Sequence, residues 1–330
     1  MRVDVEAYSA EFERFCLDGL QRRLRPYQLE PARAILASVL ERKAWSITVL
    51  MARQAGKNEL IVCLALYLAL RFPGIRIGVY APTLPQAADI TMRRLKRYYR
   101  RVQRVARNVG HLGHAHRGDR EPLVLPLGPW RLVLPSPETN RHDLLEFPFP
   151  AGAEGPFAVR GEGSLLGAHS AEKDAEKEGY TWDLIIYDEA QELDRQVIDE
   201  EISPTGSATA ATEVFIGTPE CVDCKFYDVI QGVKSGAIEG ACFEYPHQVV
   251  AAHVPEYARF VRKKAAELGP DSVAFRTQYA IEWVQGLGLF FQFDLFQTLA
   301  LPDEEFLSVA PPAAAALHPH GAAPPRFAVG

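Results

Sequence analysis

Two short stretches of this 330-residue chain carry side chains whose types and spacing suit phosphate chemistry. The first reads Met51-Ala52-Arg53-Gln54-Ala55-Gly56-Lys57-Asn58. In the frame G-x-x-x-x-G-K-[ST], glycine lets backbone N–H groups approach a phosphate and the lysine reaches its terminal oxygens. Gly56 and Lys57 match that frame, with Arg53, Gln54 and Ala55 forming the turn before them. Met51 stands in place of the first glycine, and Asn58 in place of the hydroxyl that would touch Mg²⁺. A helix opening at Lys57 would add its positive dipole end to the same anion site. The second stretch, Leu184-Ile185-Ile186-Tyr187-Asp188-Glu189, is an apolar run closed by two adjacent carboxylates. Successive side chains of a strand point to opposite faces. Asp188 can then hold the water shell of Mg²⁺ while Glu189 faces a water that attacks a γ-phosphate, the division of labour ATP hydrolysis needs.

Such groups work only if regular elements bring them to one edge. Val5–Leu20 and Gln28–Arg42 read as helices, separated by a turn at Arg25-Pro26. Ser46–Met51 is a short β-branched apolar run, hence a buried strand, and it leads through the turn into an apolar helix over Lys57–Arg71. Ile75–Tyr80 repeats the pattern, followed by Ala81-Pro82-Thr83 and a long basic helix. Trp130–Leu134, Phe157–Arg160, Asp183–Tyr187 and Glu213–Gly217 are further strands, with Pro135–Pro156 a long connection. Helices over Val222–Ser235 and Glu256–Leu268 form a smaller α-rich appendage, and Pro302–Pro325, rich in Pro and Ala, reads as a linker. The alternation predicts an α/β fold, a P-loop NTPase with a mostly parallel central sheet flanked by helices and a small C-terminal lid subdomain. Its expected organisation is an N-terminal helical segment (1–45), an ATPase core (46–220), a lid (221–300) and a linker (301–330).

Apolar residues make up 48% and charged residues 24%, a globular composition that excludes a wholly disordered or fibrous chain. The longest apolar run, Leu60–Leu70, falls well short of the roughly 20 residues a bilayer span requires. Nor does a basic-then-apolar opening point to a signal peptide, so a soluble intracellular protein is expected. The net charge of −6 hides an asymmetry: Pro85–Gly110 holds eight cations (Arg93, Arg94, Lys96, Arg97, Arg100, Arg101, Arg104, Arg107) against the single carboxylate of Asp89. At 100° per residue, Arg93, Arg97, Arg100, Arg101 and Arg104 fall mainly on one broad face. That face is a solvated surface, a track for a polyanion or a dock for the acidic body of a neighbouring subunit, with the subunit interface the favoured reading. Five cysteines are an odd number and too few for a disulfide scaffold. Cys221 and Cys224, with Cys242 and His247, approach a zinc-ligand spacing, but its second half is irregular, and reduced thiols are expected.

Four stretches in order, A-R-Q-A-G-K-N-E, A-P-T-L-P-Q-A, I-I-Y-D-E-A-Q and F-I-G-T-P-E, resemble the ATPase domain of the bacteriophage large terminase family, over roughly Leu24 to Phe291. Those DNA-packaging motors carry a deviant phosphate loop with an early basic residue and no first glycine, which accounts for Met51 and Arg53. The resemblance implies that Lys57 binds the β/γ-phosphates, with Arg53 near the γ-phosphate. It gives Asp188, with Asn58, the Mg²⁺ that accompanies ATP, and makes Glu189 the catalytic carboxylate. Thr218, in G-T-P, matches the coupling motif, and Gln28, in L-R-P-Y-Q, the adenine-recognising glutamine. The family's trans-acting arginine does not map: Leu165-Leu166-Gly167 lies where some relatives carry it, and Arg160 is the nearest candidate.

The same resemblance implies translocation of double-stranded DNA into a procapsid by a homo-oligomeric ring. Portal protein and a small terminase subunit would be its partners, in the host bacterial cytoplasm at the procapsid portal. Full-length relatives also bear a ribonuclease-H-like nuclease. The linker and Arg326-Phe327-Ala328-Val329-Gly330 are expected to stop just before it, so this chain is not expected to cut DNA. Two other readings share parts of the pattern. A helicase-type ATPase would need a second motor domain, for which the residues after Thr218 are too few. A nucleotide-binding module without turnover would rest on Met51 and Asn58.

Overall fold

A computed structural model describes residues 3–111, 123–149, 153–158, 163–173 and 179–285. The first helix, Val5–Arg14 (α1), starts where the Asp4 side chain accepts a hydrogen bond from the Ala7 N–H and continues through a π-helical turn at Phe15–Gly19. Pro26–Glu41 (α2) follows, opened by proline at a position that needs no N–H. Ser46–Met51 (β1) is buried on both faces beyond its first residue, as a strand sandwiched between helices must be. Lys57–Arg71 (α3) leaves the Arg53–Gly56 turn and is apolar almost all round, so it is buried along nearly its whole length. Arg76–Ala81 (β2) leads through a π-helical stretch, Gln86–Met92, into Arg93–His111 (α4). Its Leu95, Tyr98, Tyr99, Val102 and Ala106 are buried.

Leu123–Leu127 (β3) and Trp130–Leu134 (β4) form a separate antiparallel hairpin, packed with α4. The remaining strands are Thr139–Asn140 (β5), Leu144–Phe147 (β6), Ser164–Ser170 (β7), Leu184–Asp188 (β8), Thr212–Gly217 (β9) and Gly240–Tyr245 (β10). Among the described residues the main sheet has the order β10-β1-β9-β8-β2-β7-β6-β5. Six strands from β10 to β7 run parallel, and β6 and β5 close the far side antiparallel. Side chains alternate across it. Ile47, Val49, Ile77, Val79, Ile186 and Val214 pack with α1–α4 on one face, whereas Leu50, Tyr80, Ile185, Tyr187 and Phe215 pack on the other. That second face is covered by short turns and by Lys225–Ser235 (α5).

The structure departs from the sequence expectations in two places. The core was expected to end at residue 220, but β10 pairs in parallel with β1, from Ser46↔Gly240 to Met51↔Tyr245, so the sheet extends to Tyr245. Gly240 tolerates that approach because a Cβ there would lie 1.9 Å from the Ser46 carbonyl oxygen. What remains of the expected lid is His247–His253 (α6), Pro255–Leu268 (α7) and Val273–Gln278 (α8). Phe157 and Ala158 sit in a turn, and the sixth parallel strand is instead β7, whose Ser-Leu-Leu-Gly-Ala-His-Ser alternates too weakly to stand out. Arg160, the candidate trans-acting arginine, and the 301–330 linker lie outside the described residues.

Candidate active site

Parallel strands deliver their carboxyl ends to one edge, where α/β sheets bind ligands. Here β1 ends in the Arg53–Gly56 turn, β8 in Asp188-Glu189, β9 in Gly217-Thr218, and β2 in the segment leading to Gln86 and Arg94. β9 lies between β1 and β8. Its end therefore separates the loop from the carboxylates and faces both.

The loop is shaped by left-handed backbone at Gln54 (φ 67°) and at Gly56 (φ 95°), which precedes the first turn of α3. Its carbonyls are held from below: Tyr27 Oη donates to the Ala55 oxygen at 3.1 Å, and Gln28 Nε2 donates to the Gly56 oxygen at 3.1 Å. Helix α8 braces the other side. The Arg53 N–H donates to the Gln278 carbonyl at 2.7 Å, its guanidinium donates to Gln278 Oε1 at 3.0 Å, and Tyr257 Oη of α7 donates to the Arg53 oxygen at 2.8 Å. Helices α7 and α8 are thus both tied to Arg53 of the loop.

Lys57 is buried, with 8% of its surface exposed, and its ammonium spans two strand ends. Nζ donates to Thr218 Oγ1 at 2.5 Å and to Glu189 Oε2 at 3.3 Å. Glu189 itself adopts left-handed backbone (φ 50°), a conformation that costs a non-glycine residue energy and recurs at functional sites. Asp188 lies beneath it, buried, its Oδ1 accepting the Glu189 N–H at 3.1 Å. Burial pushes the Asp188 carboxyl up to about 7, the Glu189 carboxylate adds to that rise, and Lys57 opposes it. A cation reaching Asp188 would relieve that cost.

A cleft of about 820 Å³ opens over these groups. Arg53, Gln54, Ala55, Gly56, Lys57, Asn58, Glu189 and Thr218 line it, together with Gln86, Arg94, Gln191 and Gln278, which were not singled out from sequence. In the sequence Arg94 is one of the eight cations of the basic helix, and Gln191 stands in the D-E-A-Q stretch with no spacing that marks it. Two expected site residues are not on the cleft wall. Asp188 sits behind Glu189, and Gln28 lies under the loop, where its Oε1 also accepts the Arg25 N–H at 2.9 Å. Among the described residues no group of three or more His, Cys, Asp or Glu side chains gathers to hold a metal. Cys224 Sγ donates to the Cys221 carbonyl, Cys242 lies in β10, and His247 packs edge-on to Phe275, so these four do not converge.

Beside the cleft, α4 exposes Arg93, Arg97, Arg100, Arg104 and Arg107, spaced four and three residues apart along one stripe. Arg101 belongs elsewhere: it is half-buried and donates to the Leu20 carbonyl at 3.2 Å. Among the described residues none of the five exposed arginines makes an ion pair.

Solved structures share this fold. The ATPase domain of the large terminase of Thermus phage P74-26 superposes with a TM-score of 0.55 at 21% identity, over 81% of this chain and 97% of that one. The chain has the fold of large terminase ATPase domains. The large terminase of bacteriophage HK97 matches with a TM-score of 0.54 at 17% identity, over 90% of this chain and 58% of its own. That of the thermophilic bacteriophage D6E, solved with ADP, matches with a TM-score of 0.53 at 11% identity, over 79% of this chain and 54% of its own. The chain therefore spans little more than half of the two longer terminases. No protein-family model and no curated sequence matches it. Among the described residues no helix is long and apolar enough to cross a membrane.

Proposed function

We propose that the chain is the ATP-hydrolysing motor domain of a large terminase, and that it drives double-stranded DNA into a procapsid. The observation that carries this reading is the meeting of Lys57, Glu189 and Thr218 under one cleft, at the mouth of a loop that opens a fifteen-residue helix. The shared fold supports it, as does the ADP held by the D6E terminase.

In this reading the N–H groups at the start of α3 and the Lys57 ammonium receive the β- and γ-phosphates. Arg53, exposed at the loop, supplies a second positive charge near the γ-phosphate. Glu189 orients a water and takes its proton. Thr218, bonded to Lys57, senses whether a phosphate has drawn the ammonium away. Gln28 and Tyr27 keep the loop in shape from beneath, and adenine recognition by Gln28 requires its present backbone bonds to be exchanged.

The donor set fits Mg²⁺, which is commonly held by one or two carboxylates plus substrate phosphates and waters and needs no all-protein cage. Asp188 would hold it, with Asn58 on the cleft wall beside the phosphates. The ion supplies charge neutralisation on the β- and γ-oxygens. DNA, portal protein, a small terminase subunit and neighbouring copies in a ring are the partners this reading brings, in a host cytoplasm. The test is phosphate release from ATP by the purified chain at high protein concentration, with and without Mg²⁺ and DNA. Turnover that needs Lys57 and Glu189 supports the motor, and absence of turnover under all these conditions refutes it.

A further inference from the structure

The ring of contacts around Lys57 has a fourth member that the hydrolysis reading leaves without a task. Gln191 follows β8 by three residues, in a single 3₁₀ turn. Its Nε2 donates to Glu189 Oε2 at 3.0 Å, and its Oε1 accepts the Thr218 N–H at 3.2 Å. One amide therefore joins the carboxylate at the end of β8 to the backbone at the end of β9. Lys57 makes the parallel connection, from Glu189 Oε2 to Thr218 Oγ1.

The two links differ in what a ligand does to them. An arriving phosphate competes for the Lys57 ammonium, the strongest donor at the loop. The Gln191 amide, bonded to a carboxylate on one side and a backbone N–H on the other, is neutral and so a weaker partner for that phosphate than the ammonium. Once Lys57 has turned to phosphate, Gln191 is what still holds Glu189 in register with Thr218.

A separate observation points the same way. Gly217, the last residue of β9, has ordinary backbone dihedrals, so glycine is not required there for its φ. Space is the reason: a Cβ at Gly217 would stand 2.2 Å from Gln191 Oε1, inside any permitted contact. The strand end is stripped of its side chain where the glutamine amide crosses it.

We infer that Gln191 is a positioning residue, which fixes the Glu189 carboxylate relative to Thr218 and so transmits nucleotide state between β8 and β9. This inference rests on the proposed ATPase reading. It assigns Gln191 no contact with the nucleotide, so its loss should act on turnover and spare binding.

The test compares wild type, Gln191→Met, Gly217→Ala and the double variant, by steady-state ATP turnover and by affinity for a fluorescent ATP analogue. Methionine keeps the length of glutamine and removes both hydrogen bonds. A carboxylate released from its aim is expected to lower kcat by ~10- to 100-fold, with KM and analogue affinity changed less than about twofold. Gly217→Ala should reproduce this by displacing the amide. The double variant should fall clearly short of the product of the two single effects, because the hydrogen bonds that the new Cβ would break are already gone in Gln191→Met. Unchanged kcat in Gln191→Met while wild type turns over overturns the relay alone. So does a fall in analogue affinity matching the fall in kcat, or full additivity of the two substitutions. Wild type without turnover overturns the ATPase reading and the relay with it.

Discussion

Glu189→Gln changes one oxygen to an amide and keeps the side-chain length, so it separates charge and basicity from shape. In the structure the Glu189 carboxylate accepts from Lys57 Nζ at 3.3 Å and from Gln191 Nε2 at 3.0 Å, and its side chain is 34% exposed. A partly exposed ion pair contributes at most about 1 kcal/mol to stability. The glutamine carbonyl can still accept from Gln191, so the fold should persist and the melting temperature should move little. Lys57 loses an anionic competitor for the incoming phosphate, and nucleotide affinity should hold or tighten. Only the proton acceptor disappears. A positioned general base contributes ~10²–10⁴ in rate, or about 3–5 kcal/mol of barrier. The assay pairs phosphate release with equilibrium titration of a fluorescent ATP analogue. Lys57→Ala is the contrasting variant: it removes the ammonium that meets the phosphate and should weaken binding itself. An unchanged hydrolysis rate in Glu189→Gln, or a loss of nucleotide affinity equal to that in Lys57→Ala, would refute the assignment of roles.

Gly56→Ala should distort the loop, because alanine at φ 95° is strained and its Cβ would meet Gln28 Nε2 at 2.6 Å. A stability loss of about 1–3 kcal/mol with weakened analogue binding is expected in chemical denaturation and titration, and full retention of both would contradict the loop geometry. Charge reversal of Arg93, Arg97, Arg100, Arg104 and Arg107 to Glu should abolish DNA-stimulated turnover or assembly of copies, while nucleotide binding persists. If the stripe follows a phosphate backbone, wild-type DNA affinity should fall with salt at a log–log slope of about −4 to −5, about −0.9 for each contact. Identical slope, assembly and stimulation in the variant would make the stripe a solvated surface. His169 sits in an aromatic box of Tyr80, Tyr180 and Trp182 with its Nε2 unpartnered, and burial lowers its pKa from 6.5 to about 4. Between those values the unfolded chain binds a proton that the folded one refuses, so its stabilising effect is complete above 6.5 and is lost as pH falls through the window. His169→Gln should remove up to about 3 kcal/mol of acid sensitivity, read as a flatter dependence of urea midpoint on pH, and an unchanged dependence would exclude the box as its source.

Local sequence was sufficient wherever a residue's task depends on its immediate neighbours. Ser46–Met51 and Lys57–Arg71 are legible to the residue, because a β-branched apolar run bounded by a turn and an apolar helix started by Gly-Lys need no distant partner to be recognised. The Gly56-Lys57 turn and the paired carboxylates Asp188-Glu189 stand out for the same reason, since the chemistry proposed for them requires adjacent residue types. Strand order, and everything that follows from it, was decided only by tertiary structure. The short run Gly240–Tyr245 carries no strong strand pattern of its own, and it becomes a sheet strand because β1 offers it an edge. On the basic helix the stripe follows the helical period itself, since at 100° per residue Arg107 falls about 40° from Arg93 and Arg101 about 80°. Tertiary structure decided only that Arg101 turns to the Leu20 carbonyl. Gln28 turns from the cleft to the underside of the loop because two backbone groups are closer. The contacts of Gln191 and the bare Gly217 depend on β9 lying between β1 and β8. Residues far apart in the chain meet there because the parallel sheet brings its carboxyl ends to one edge, and no spacing along the sequence encodes which strand is the neighbour.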